Sequence, residues 1–210
     1  MPRSPQETES LFDAWAATYD EDVNRPTGLL VGYEESLHRA AAMVPLPANA
    51  EVLDVGIGTG AFARLLANGG ARLSGVDVSS EMLARCQANH PSFALATGSF
   101  LQIPHPDGHF DALVSSFAFH EVSPEERPRA CAESARVIRP GGRVCLLDIM
   151  FASPGARTAA ARELREQWDP DEVYPLVGDL DVSLRSAGFA GLRWHQTGPY
   201  HWAVAGCRFA

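Results

Sequence analysis

The chain has 210 residues, 46% hydrophobic and 20% charged, with a formal net charge of −9. All 17 of its basic residues are arginines, which excludes Schiff-base enzymes and P-loop nucleotide hydrolases, since both need a lysine amine. The acidic balance argues against a nucleic acid partner, and four scattered cysteines (Cys86, Cys131, Cys145, Cys207) read as small core residues of a reducing compartment.

No linker-like run divides the chain, so one α/β domain over 1–210 is expected, with a helical lid over 1–48 and a core over 49–210. The opening residues carry no basic start followed by an apolar stretch, and no later apolar run reaches membrane-spanning length. A cytoplasmic protein without a membrane partner is therefore expected. Leu11, Phe12, Trp15 and Tyr19 fall at helical spacing, which predicts an amphipathic helix over 11–20 with Leu11 and Phe12 packed on the sheet. A second helix is expected from Tyr33 to Met43, before Pro45.

The stretch Glu51–Gly60 reads EVLDVGIGTG. An apolar strand (Val52, Leu53, Val55) runs into Gly56, Gly58 and Gly60 and then into a helix beginning near Ala61. A glycine turn of this kind lets a ligand lie against bare backbone, with the helix N–H groups aimed at it. Gly56, Gly58 and Ala61 also satisfy the dinucleotide pattern, so NAD and S-adenosylmethionine both remain open on the glycines alone. Asp54 favours the second, because a carboxylate beside the turn repels a pyrophosphate and attracts an ammonium and a sulfonium. The next strand, Arg72 to Val76, ends at Asp77, placed to accept both ribose hydroxyls. Val78 and Met82 follow where an adenine ring can be sandwiched, and Ser79 or Ser80 caps the next helix.

Asp54-Val55-Gly56-Ile57-Gly58-Thr59-Gly60 resembles the D-x-G-x-G-x-G turn of the class I S-adenosylmethionine-dependent methyltransferases. The resemblance extends to Phe12–Asp20, whose F-D-x-W-A-x-x-Y-D pattern is similar to the lid helix of ubiquinone/menaquinone-type methyltransferases. It implies that Trp15 and Tyr19 close over the methionine part of the cofactor or the acceptor, with a cation–π attraction of about 0.5–2 kcal/mol from an aromatic face to a sulfonium. After a third strand, Phe93 to Thr97, relatives place an aspartate where this chain has Ser99. The resemblance implies that Ser99 and the Phe100 backbone face the adenine, the shorter hydroxyl costing about 1 kcal/mol.

A fourth strand is expected from Phe110 to Phe117, after a loop that leaves His105 and His109 facing solvent. Ser123, Pro124 and Glu126 read as a capping box that starts a helix there. Ser116 to His120 then occupy the loop at the strand's C-terminal end, where open α/β sheets bind ligands. His120, with an ordinary pKa near neutrality, is the candidate base for an oxygen or protonated nitrogen acceptor. For a thiol or a metalloid no base is needed, and it then only shapes the substrate pocket. Ser116 and Phe117 are expected to line the pocket, while one of Phe117 and Phe119 packs in the core. A helix to about Arg139 ends at Pro140-Gly141-Gly142, similar to the family's L-x-P-G-G, and the strand Arg143–Met150 brings Asp148 to its edge as a substrate contact or a loop-orienting group. A helix over 152–168, an acidic stretch from Asp169 to Asp181, a helix over 176–187 and a hairpin of two strands complete the chain. No motif has zinc-ligand spacing, and no metal is expected.

The expected fold is thus α/β, a Rossmann-like doubly wound seven-stranded sheet in the order 3-2-1-4-5-7-6 with strand 7 antiparallel, under an N-terminal helical lid. The resemblance, loosest at the C-terminal end and nearest to small bacterial YrrT-like methyltransferases, implies methyl transfer from S-adenosyl-L-methionine to a small-molecule acceptor. S-adenosyl-L-homocysteine is the implied product, in a monomer or homodimer. The readings held beside it are a protein that binds S-adenosylmethionine or S-adenosylhomocysteine without transfer, and an NAD-dependent oxidoreductase.

Overall fold

The structure, a computed structural model, describes residues 3–209. At its centre lie β1 (Glu51–Val55), β2 (Arg72–Asp77), β3 (Ala94–Thr97), β4 (Phe110–Ser116), β5 (Ile138–Ile149), β6 (Phe189–Gln196) and β7 (His201–Arg208). They form one sheet in the order β3-β2-β1-β4-β5-β7-β6. β1 to β5 pair in parallel, and β7 runs antiparallel to both β5 and β6. The expected order is the observed one. A dinucleotide-binding sheet, ordered 3-2-1-4-5-6, has no such reversed strand inserted between its fifth and sixth.

β1 is paired on both sides, Val52 with Leu73 and with Ala112, and covered on both faces, so its apolar residues need not alternate with polar ones. Alternation still decides which layer each side chain enters. Val52 packs with Leu37, Phe62 and Leu66 under α3 (Tyr33–Ala42) and α4 (Ala61–Asn68). Leu53 and Val55 join Leu113, Cys131 and Leu184 on the opposite face, under α6 (Arg127–Val137) and α8 (Val177–Ser186). Each such buried leucine or phenylalanine contributes roughly 1.5–3 kcal/mol.

Several element boundaries differ from expectation. The first helix is α1 (Pro5–Trp15), not 11–20: Ser4 and Glu7 form a capping box that starts it six residues earlier than Leu11, and Tyr19 belongs to a separate turn of helix, α2 (Tyr19–Asp22). Ser123 and Glu126 do meet through their side chains at 3.2 Å, yet residues 124–126 are a turn and α6 begins only at Arg127. β5 begins at Ile138, ahead of the Pro-Gly-Gly run, because that run bulges out of the strand between the Phe110 and Ala112 registers. His109 is exposed, as expected, but His105 is half-buried, its ring stacked on His109 and both edge-on to Phe110. The helix over 152–168 resolves into α7 (Pro154–Leu164) and a short 3-10 turn, while α5 (Ser80–Asn89) is capped by Ser79, whose hydroxyl accepts the Met82 N–H.

Candidate active site

β2 lies on one side of β1 and β4 on the other, so their connections leave the sheet in opposite directions and open a crevice at the C-terminal strand ends. An elongated cavity fills it, enclosing about 990 Å³ that includes space open to solvent. Its floor is the glycine turn. Gly56 and Gly58 have φ of +70° and +53°, a region that a side chain makes costly. A Cβ on Gly56 would lie 2.4 Å from the Ala118 Cβ, so this glycine makes room for the loop after β4. A Cβ on Gly58 would meet nothing within 4 Å, which leaves that backbone bare to the cavity. Gly60 is not on the wall: its missing Cβ admits the His90 ring, which packs the helix start against α5.

Asp77 is the anchored group of the cavity. One carboxylate oxygen accepts the Gly58 N–H at 2.8 Å and the other the Ser79 N–H at 3.0 Å. Burial pushes its pKa above the usual carboxylate range, and these N–H donors oppose that. Each oxygen keeps a further lone pair. Beyond Asp77 the wall is an apolar slot of Val78, Met82, Phe100 and Leu101, with Ser99 at its edge. The Ser99 hydroxyl accepts the Leu101 N–H at 3.3 Å. On the other side of the turn stand Tyr19, Ser116 and Phe117. Phe117 holds φ at +52°, a strained conformation for an aromatic residue that the surroundings must impose. Its N–H donates to the Leu147 carbonyl at 2.8 Å, and its ring packs on Tyr33 and His201.

The N-terminal arm lies across the cavity and is latched at three places. Asp13 accepts the Ser79 hydroxyl at 2.6 Å, Asp20 accepts the Thr59 hydroxyl at 2.6 Å, and the Arg3 guanidinium bonds Glu121, Glu172 and Asp169. Pro5, Thr8 and Phe12, the i, i+3, i+7 stripe of α1, face inward. The arm therefore presents Phe12 to the cavity, not Trp15, and Leu11 is exposed. Trp15 instead donates its indole N–H to Asp22 at 2.7 Å and packs edge-on against Tyr19 at 4.8 Å.

Three further expected residues lie off the wall. Asp54 shares the parity of Val52, so its side chain enters the layer beneath α4, 1% exposed, its oxygens without a hydrogen bond and faced by the Ala63 N–H. Burial, then the Asp77 charge, push its pKa well above the usual range, which favours the neutral acid. The attraction expected from a charged Asp54 is thereby muted. Asp148, fully buried, accepts the His120 backbone N–H at 2.8 Å on one oxygen, and His120 Nδ1 and the Ile149 N–H on the other at 2.6 and 2.7 Å. It orients the loop and does not line this cavity.

His120 itself is 8% exposed and behind the wall. Burial alone would lower its pKa, but Asp148, Glu172 and Glu121 overcome this and push it up to about 10. At neutral pH it is an imidazolium, which has no lone pair to take a proton, in contrast to the base expected. Glu121, Glu126 and Thr8, which the sequence reading missed, supply polar atoms to the wall. The Ser4-x-x-Glu7 capping box was the available signal for the arm; Glu121, next to His120, had none.

The residues 52–142 match the family described as "Methyltransferase domain". The chain is 32% identical over 177 residues to a protein of Staphylococcus carnosus named "Uncharacterized methyltransferase", covering 82% of this chain and 80% of that one. Among solved structures it resembles magnesium protoporphyrin IX methyltransferase from Synechocystis PCC 6803, solved with bound SAH, with a TM-score of 0.78, 17% identity and 98% and 100% of the two chains covered. The [4+2]-cyclase SpnF has a TM-score of 0.81 at 18% identity, over 100% of this chain and 98% of that one.

Proposed function

The chain belongs to the class I S-adenosylmethionine-dependent methyltransferases, and we propose that it methylates a small neutral or cationic acceptor, leaving S-adenosylhomocysteine. The observation that carries this reading is the sequence of surfaces along the cavity: an apolar slot, one anchored carboxylate, a bare glycine backbone and an aromatic end. Those surfaces suit, in that order, an adenine, a ribose, and the amino-acid part carrying a sulfonium. Membership of the family, together with the reversed β7, sets the oxidoreductase reading aside.

Val78, Met82 and Phe100 would hold the adenine, with Ser99 accepting from its amino group, and Asp77 the two ribose hydroxyls. Gly56, Gly58, Ser116 and Tyr19 would surround the methionine part. Gly60 and Asp54 act from beneath, through packing and field. Phe117 faces the acceptor, and Trp15 steadies Tyr19. His120 and Asp148 are positioning residues that fix the loop carrying Phe117 and Glu121. The bound cofactor supplies the activated methyl group. The chain supplies alignment, worth several kcal/mol of barrier when the acceptor is held in line at near contact, and a closed lid that keeps water out.

On the wall Arg3 offsets Glu121, and the remaining carboxylate of Glu126 favours a neutral or cationic acceptor over an anionic one. We place the chain nearest the small bacterial YrrT-like group, as one domain with its N-terminal arm as lid. Action in the cytoplasm as a monomer or homodimer, without nucleic acid or membrane, accords with its negative charge. No helix among the described residues is long and apolar enough to cross a membrane.

The test is incubation with methyl-labelled S-adenosylmethionine and a panel of amines, phenols and thiols. Label should pass to at least one acceptor as S-adenosylhomocysteine accumulates. A second reading, binding without transfer, is favoured by the place of His120 behind the wall, which leaves the cavity without its expected base. Tight S-adenosylhomocysteine binding with no label transferred to any acceptor would establish it instead.

A further inference from the structure

Behind the cavity wall, His120 Nε2 faces Glu121 Oε1 and Glu172 Oε2, each at 3.7 Å. Both separations are too long for hydrogen bonds. The three ligand-capable atoms nevertheless lie within 4.8 Å of one another. The other ring nitrogen is fixed on Asp148 at 2.6 Å, and Asp148 also takes the His120 backbone N–H, so the ring cannot turn away. A carboxylate bound to the far nitrogen of a histidine is the arrangement that orients a metal-ligating imidazole.

Two more features converge on the same point. Tyr174 is fully buried, with its hydroxyl beside the Glu172 carboxylate. Buried Arg127 bonds the carbonyls of both Val122 and Val173, tying the segment that carries Glu121 to the one that carries Glu172. The present counter-cations are the His120 ring and Arg3, whose Nη1 reaches Glu121 at 3.4 Å and Glu172 at 3.2 Å. Arg3 also bonds Asp169, which offers the guanidinium a partner when an ion takes the other two carboxylates.

We propose that His120, Glu121 and Glu172 form a divalent metal site: Asp148 orients the histidine, Arg3 covers the site until an ion displaces it, and the ion takes the Nε2 lone pair as the proton held there leaves to solvent. Ligands of an ion at about 2.1 Å lie roughly 3.0–3.5 Å apart, so the three side chains close in by about 1 Å. One imidazole and two carboxylates suit Mn²⁺, Fe²⁺, Co²⁺ or Zn²⁺, with positions left open. Glu121 also lines the cavity, so the open positions face the acceptor side, where an oxygen of an acceptor completes the shell. The site stands apart from the methyltransferase reading; only this last role rests on it.

Mn²⁺ is titrated into the full chain while the free-ion paramagnetic resonance signal is followed, and Co²⁺ into a second sample for its visible ligand-field bands. One ion per chain is expected, with bands indicating mixed nitrogen and oxygen ligation. Glu172→Gln should weaken binding at least roughly tenfold, and Arg3→Ala should tighten it by removing the competing guanidinium. Melting curves of both variants establish that they fold. The proposal fails if neither ion binds, or if Glu172→Gln binds as tightly as the unaltered chain. It fails as well if methylguanidinium, and neither metal, raises the melting temperature, which would assign the pocket to organic cations. None of these outcomes depends on methyl transfer, so the two claims fail separately.

Discussion

Asp54 illustrates how one buried group can report on the ligand. Burial and Asp77 hold its pKa well above the usual range in the free protein. A sulfonium and an ammonium entering nearby stabilise its charged form and lower that pKa, so binding should release a proton. Calorimetry in buffers of different ionisation enthalpy should show greater proton release with S-adenosylmethionine than with S-adenosylhomocysteine, which lacks the sulfonium. Equal release would place the charge elsewhere. Ser99→Asp is a second test. The hydroxyl is engaged by the Leu101 N–H at 3.3 Å, and a carboxylate has lone pairs for both that N–H and an adenine amino group. Affinity for S-adenosylhomocysteine should rise several-fold, and an unchanged constant would move adenine recognition off this residue. At this scale the sequence was informative about backbone and misleading about titration. Asp77 and the glycines were legible because turn geometry demands them. The state of His120 was not, because Asp148 and Glu172, lying 28 and 52 positions beyond it, determine its charge.

Among the elements, the N-terminal arm is the movable part of the account. Its latches are a few charge-assisted hydrogen bonds, one at Asp20, two at Asp13 and three at Arg3, each worth about 1.5–3 kcal/mol, and none is made to a strand, so the arm can open without disturbing the sheet. Asp13→Ala removes the contact to the Ser79 hydroxyl and the neighbouring Glu81 N–H. It should speed S-adenosylhomocysteine release several-fold, measured by stopped-flow, while the melting temperature moves by only a few degrees. Unaltered release would show that α1 does not gate the cavity. The sheet order was legible because the D-x-G-x-G-x-G turn after β1 carries the resemblance that implies it, and because the last two strands are joined by Thr197-Gly198-Pro199. The helix starts were less so. Leu11, Phe12, Trp15 and Tyr19 keep helical spacing across a real break, since the Trp15 indole bonds Asp22 and holds α2 as a separate turn. Periodicity records which faces are apolar and not where a helix is interrupted.

For the molecule as a whole, stability in mild acid should depend on His201. It is fully buried between β7 and α3, with its Nε2–H donating to the Leu29 carbonyl at 2.7 Å and its Nδ1 accepting the Ser36 hydroxyl at 2.9 Å. Burial pulls its pKa below 6.5, against the opposing pull of the Leu29 carbonyl and Asp148. A depressed histidine contributes stability that is present above 6.5 and lost as pH falls below it, because the unfolded chain takes the proton first. Asp54 and Asp77, raised in the folded state, act with the opposite sign. They cancel in a comparison of denaturant midpoints for the unaltered chain and His201→Gln, in which the variant should lose less stability between pH 7 and 5. The central claim is that Asp77, held by the Gly58 and Ser79 N–H groups, grips the cofactor's ribose at the switch point of this sheet. Calorimetric titration of S-adenosylhomocysteine into Asp77→Ala measures it most directly. Loss of two charge-assisted hydrogen bonds predicts affinity at least about a hundredfold weaker, whereas a dissociation constant equal to that of the unaltered chain would contradict the account.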